Sequence, residues 1–176
     1  SASRGDPEAV AALCGALRQA DALEHHRESI GLLSALLEML PPGDRRWLDV
    51  FDAMDWQAEW VVDHRLDASL PVAIRAMRTI SQLAEASDDR VRSAAAKFHL
   101  ASFLAWGSGD TDAAITLVTE AQELFEAAGE PRRALVATNE MGYLRGIAGD
   151  LDAHERIARE VLAESEALDG FMQQAA

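Results

Sequence analysis

Sulfur chemistry has little material here. The chain holds a single cysteine, Cys14, which excludes an internal disulfide framework and a cysteine-rich zinc cage. Lysine is as scarce, with Lys97 the one lysine among 16 basic residues. A P-loop ends in Gly-Lys-Ser/Thr, so Gly107-Ser108-Gly109-Asp110 reads as a helix break and not as a phosphate cradle. Aromatics make up 6% of the chain, and β-branched residues never alternate as a strand requires. No apolar run is long enough for a transmembrane helix or a signal peptide. Positive charge is outnumbered, 16 basic against 30 acidic side chains, for a formal net charge of −14. Such a surface repels phosphate backbones and anionic lipid, so neither nucleic acid nor membrane is an expected partner.

What the chain has in abundance is helix-forming material. Alanine supplies 34 of 176 residues, joined by many Leu, Glu and Arg. Punctuation divides it into regular lengths. Asp6-Pro7-Glu8 reads as an N-cap, a first-position proline and a first-turn acid. Pro41-Pro42-Gly43 stops a second helical run, Asp44 can cap a third, and Pro71 restarts the chain after Ser69. Ser87-Asp88 reads as a cap, and breaks follow at Gly109, Gly129 and Gly149. The expectation is eight helices of about 15 to 22 residues in four hairpins, near 6–41, 44–87, 88–128 and 130–169. Residues 170–176 then read as the opening of a further, truncated helix within one repeat domain.

The hairpins look like copies. At an offset of 40, Arg92/Arg132, Ala94/Ala134, Leu104/Leu144, Gly109/Gly149, Asp110/Asp150, Asp112/Asp152 and Ala113/Ala153 coincide. At 41, Ala73/Ala114 and Leu83/Leu124 pair. Glycine can end one helix in the left-handed conformation and the following Asp can cap the next.

A Gly-Asp-x-x-Ala turn between small and large apolar residues at helix crossings resembles the tetratricopeptide repeat, best over Leu104–Phe125 and Met141–Val161. Three departures are a period of about 40 rather than 34 residues, His154 where the preceding repeat has Ala114, and the absence from most repeats of the proline that normally closes each one. Repeats of this length, rich in Ala and Arg with Gly-Asp turns, are also similar to the C-terminal arrays of large bacterial ATP-dependent regulators. These include MalT-like and other LuxR-type transcription factors and related signalling ATPases, and the segment from Trp47-Leu48-Asp49-Val50 to Asp55-Trp56-Gln57-Ala58-Glu59-Trp60 carries that likeness. The resemblance implies an all-α, right-handed α-α superhelix. It also implies a cytoplasmic module that senses a protein partner or a small-molecule inducer, with ATPase and DNA-binding domains elsewhere.

Candidate chemistry is thin. The adjacent His25 and His26 point to different helix faces; Glu24 and Glu28 with His25 could make a weak site at a helix end, but exposed turn polarity is the preferred reading, so no metal site is expected, and nothing calls for a cofactor. Cys14 sits in an apolar stripe with no partner base, and no Gly-x-Ser-x-Gly elbow occurs. No catalysis is therefore expected. Asp49, Asp52, Asp55, Glu59 and Asp63 share a helix face, read first as a solvated stripe and alternatively as an acidic lining for a basic peptide. In tetratricopeptide arrays the first helix of each hairpin lines the groove. If Ala101-Ser102 and Met141-Gly142 fill matching packing positions, the groove residues are His99, Phe103, Asn139 and Tyr143. The expected function is a non-catalytic interaction module. The alternatives are an all-helical enzyme or carrier domain with an interhelical pocket, and an oligomerisation arm that self-associates through uncapped ends.

Overall fold

A computed structural model describes residues 5–22, 26–53 and 70–167. Among these the chain is all-helical, with no strand. We number the helices α1 (Pro7–Ala22), α2 (His26–Met39), α3 (Arg46–Asp52), α4 (Leu70–Ala86), α5 (Arg90–Ser102), α6 (Thr111–Ala127), α7 (Pro131–Ile147) and α8 (Leu151–Ala167); α5 runs on as a π-helical segment, Phe103–Ser108. The third helix ends at Asp52, with Ala53 in a turn. Met54 to Val61 of the hydrophobic stripe expected there, with Asp55, Glu59 and Asp63 of the acidic face, lie outside the described residues. Asp6 does cap α1: the Glu8 N–H donates to its Oδ1 at 3.1 Å.

Packing is sequential. α1 packs on α2, α2 and α3 meet α4, and from α4 to α8 each helix lies against the next. The largest apolar cluster runs from Leu17 and Leu33 through Trp47, Met77 and Ile80 to Phe103, Val118 and Leu144. Two smaller ones follow, around Ala121, Phe125 and Ala137 and around Leu135, Ile157 and Val161. Alanine lets the helices approach closely: Ala73, Ala94, Ala96, Ala114, Ala121 and Ala137 are all without exposure, and a longer side chain at these crossings would force the helices apart.

Three of the four turns from α4 to α8 are built alike. Asp88 (φ 53), Gly129 (φ 74) and Gly149 (φ 91) are left-handed. The next N–H reaches back five residues: Asp89 to the Ala84 carbonyl, Glu130 to Phe125 and Asp150 to Arg145, each at 2.9 Å. This is the Schellman ending. At the fourth, Gly109 is left-handed (φ 73), but Asp110 reaches back six residues, to Leu104 at 3.0 Å. Asp89, Asp110 and Asp150 cap the helices that follow, accepting from the N–H groups of Arg92, Ala113 and Ala153. The cap before α5 is thus Asp89 rather than Ser87-Asp88, because Asp88 is spent on the left-handed bend. A Cβ on Gly149 would touch nothing within 4 Å, so Gly149→Ala tests backbone conformation alone. It should cost about 1 kcal/mol in urea unfolding, with an unchanged m-value.

The π segment has a simple origin. From cap to left-handed residue the chain takes 19 steps between Asp110 and Gly129 and between Glu130 and Gly149, but 20 between Asp89 and Gly109. The extra residue is absorbed as a wider helical turn. Upstream of it the burial pattern repeats at 41: Ser93/Ala134, Ala94/Leu135, Ala96/Ala137, Ala101/Gly142 and Phe103/Leu144 are all buried. Downstream, Gly109/Gly149 repeats at 40. The offset of 40 therefore does not carry back through α5, and Ala101 matches Gly142, not Met141.

Candidate functional site

That one-residue slip decides where the four groove candidates go. On α5, His99 is half-buried. Its ring meets Phe98 edge-on at 5.6 Å and lies 6.4 Å from Phe51. Its Nδ1 is buried with no hydrogen-bond partner. Burial pushes the imidazole pKa down to about 4, so the ring is neutral at pH 7. Phe103 is wholly buried in the main core. Asn139 on α7 is half-buried, and Tyr143 is 53% exposed. The four do not share one face. Phe103 is a packing residue, corresponding to buried Leu144, and His99 corresponds to Glu140 rather than Asn139.

The structure instead gathers a different set around α7. The π segment holds Phe103 and Leu104 in the core while Trp106 stands 45% exposed. Its Nε1 donates to Glu140 Oε1 at 3.2 Å. The turn carrying Trp106 lies tight on α4, since a Cβ on Gly107 would collide with Leu70 Cδ1. Glu140 is half-buried. Burial raises its carboxyl above the usual range, and the indole hydrogen bond opposes this only in part. Tyr143 lies three residues on, so it shares Glu140's side of the helix.

The Tyr143 ring sits edge-on to His154 at 5.8 Å. His154 is fixed in turn by a 2.9 Å hydrogen bond from Nδ1 to the Gly142 carbonyl, which requires the proton on Nδ1 because a carbonyl only accepts. His154 replaces the alanine of the preceding repeat, and Gly146 makes its room: a Cβ there would lie 3.3 Å from its Cγ. Gly142 in turn admits Ile157, whose Cγ2 would lie 2.9 Å from an added Cβ. Neither Trp106 nor Glu140 stood out in the sequence. The available signal was Trp106 beside the Gly107-Ser108-Gly109 break, together with the extra residue in α5.

A concavity of about 550 Å³ opens where the end of α4, the start of α5 and the end of α6 meet. Lys97 spans it, reaching Glu85 Oε1 on α4 and Glu120 Oε2 on α6, each at 2.7 Å. Burial pulls its pKa down, but the two carboxylates outweigh that and hold it above the ordinary value. The ammonium stays charged and serves as a brace between α4 and α6. Arg92 links α5 to α3 in the same manner, pairing Asp52 at 2.6 Å and Asp89 at 2.5 Å. Asp52 of the acidic face is thus engaged within the fold.

The Cys14 thiol is buried, and desolvation pushes its pKa up, as for a small core hydrophobe. Among the described residues no group of three His, Cys, Asp or Glu is placed to hold a metal ion, and no helix is long and apolar enough to cross a membrane. No family model and no curated protein matches the chain.

Proposed function

We propose that this chain is a tetratricopeptide-like helical array, a right-handed superhelix of hairpins, that binds a protein or peptide partner without catalysing a reaction. One observation carries the reading. Turns of one construction recur at Asp88, Gly129 and Gly149, with Gly109 as their π-widened counterpart, and the same buried positions recur 41 residues apart on α5 and α7. A chain that repeats its turns and crossings presents equivalent helices side by side, and such rows form extended surfaces for other chains. The aromatic and acidic character of the α7 face supports the same reading. With the motif resemblance, it suggests a cytoplasmic module of a bacterial transcriptional or signalling regulator.

Peptide-library selection on the purified protein, followed by backbone NMR mapping of the enriched sequences, tests this proposal. The expected outcome is shifts concentrated on α7 and on the π segment after α5. Enrichment no greater than on an unrelated protein of equal charge, or turnover of a substrate by the purified chain, overturns it.

A further inference from the structure

We propose that Trp106, Glu140 and Tyr143 form a docking site for the cationic side chain of an arginine- or lysine-bearing segment of a partner protein. This rests on the interaction-array reading and names the chemistry its partner brings.

The first observation is an unbalanced charge. Asp44, Asp52, Glu85, Asp89, Glu120, Glu130, Glu155 and Glu160 each pair with a cation of this chain. Glu140 is half-buried, yet its one hydrogen bond comes from the neutral indole of Trp106, and among the described residues no cation pairs with it. A partly desolvated carboxylate without a counterion is costly, and an incoming cation relieves that cost. The second observation is what flanks it. Trp106 and Tyr143 are two of the five large apolar residues left exposed among the described residues, and Ile147, one turn beyond Tyr143, is 51% exposed. Exposed aromatic faces beside a carboxylate suit a guanidinium or ammonium through cation–π attraction. Ile147 offers apolar surface for the aliphatic stem of such a side chain.

The third observation is preorganisation. Trp106 is oriented by its bond to Glu140, and His154 buttresses Tyr143. Less side-chain ordering then remains to be done on binding. The net charge of −14 favours encounter with a basic segment at low ionic strength.

The probe is acetyl-Gly-Arg-Gly-Arg-Gly-amide, titrated by calorimetry and NMR against its citrulline counterpart and against spermidine. The arginine peptide should bind, with shifts at Trp106 Nε1 and along Glu140–Ile147, and the citrulline peptide should bind at least about tenfold more weakly. Glu140→Gln keeps an acceptor for the indole and removes the charge. It should weaken the arginine peptide about tenfold and leave the circular dichroism spectrum unchanged. Trp106→Leu should weaken it about threefold. Glu123→Gln, on the separate α4–α6 cleft, should change nothing.

Equal affinity for the citrulline peptide, equal losses from Glu123→Gln and Glu140→Gln, or no binding by the wild-type chain overturns the proposal. So does displacement by spermidine at equal concentration, which would make the site one for free amines. If library-selected peptides map to α7 but carry no basic residue and bind Glu140→Gln unchanged, this inference fails while the array reading stands.

Discussion

Phe103→Ala should destabilise the protein by about 3–5 kcal/mol, the usual cost of emptying a fully buried phenylalanine site. The ring is wholly buried in the cluster that joins Trp47, Met77 and Ile80 to Val118 and Leu144. It sits at the first position of the π segment, where the wide turn limits how far the helix can collapse onto the space left. Against a total stability of about 5–15 kcal/mol for an ordinary domain, much of the population would unfold. A urea titration should show a large fall in midpoint with little change in slope. Tyr143→Ala, at the position paired with Phe103 by the 40-residue offset, should change stability by less than about 0.5 kcal/mol, because its ring is half in solvent. Similar losses from both variants would contradict the inward placement of Phe103 and the outward placement of Tyr143.

Acidification should destabilise the fold before most of its carboxylates titrate. His99 binds its proton more weakly folded, with a pKa near 4, than unfolded, near 6.5. Between those values the unfolded chain takes up a proton that the folded chain refuses. The His99 contribution is therefore undiminished above about pH 6.5, falls through pH 5 and levels off below pH 4. The full loss is at most about 3 kcal/mol, and less to the extent that solvent screens the half-buried ring.

Asp44 and Asp89 act in a separate window. Side-chain hydrogen bonding from Arg46 lowers the pKa of Asp44; at Asp89 burial pulls upward but is outweighed by hydrogen bonds from Arg92. Their stabilisation is present above the usual carboxylate range and is lost only below it. Urea midpoints of the wild type and His99→Phe at pH 7.5, 6, 5 and 4.5 separate the two windows. The difference between the two proteins should shrink or reverse in favour of the phenylalanine as pH falls, since the Nδ1 of His99 has no partner to lose. A wild-type midpoint flat from pH 7.5 to 5 would contradict the lowered imidazole pKa.

Much of the helical layout was open to inspection in the residues. Asp6, Gly109 with Asp110, Gly149 with Asp150, and Pro131 each marked an end or a start, and each does so in the structure. Asp88 was harder, because an aspartate is as good a cap as it is a left-handed residue, and only its φ of 53 separates the two roles. The candidate site was less legible. His99 and Phe103 have the correct spacing of four, but Phe103 is wholly buried and His99 half-buried.

Local chemistry alone determined that this chain is helical, where most of its helices break, and that alanines would mark the crossings. Those properties depend on neighbours within a turn or two of the backbone. Only the tertiary structure decided which way each helix faces. A single surplus residue between Asp89 and Gly109 is accommodated as a wide turn where α5 meets α4 and α6, and that choice is made by packing rather than propensity. It turned Phe103 into core, left Trp106 in solvent beside Glu140, and gave a half-buried carboxylate an indole in place of a cation.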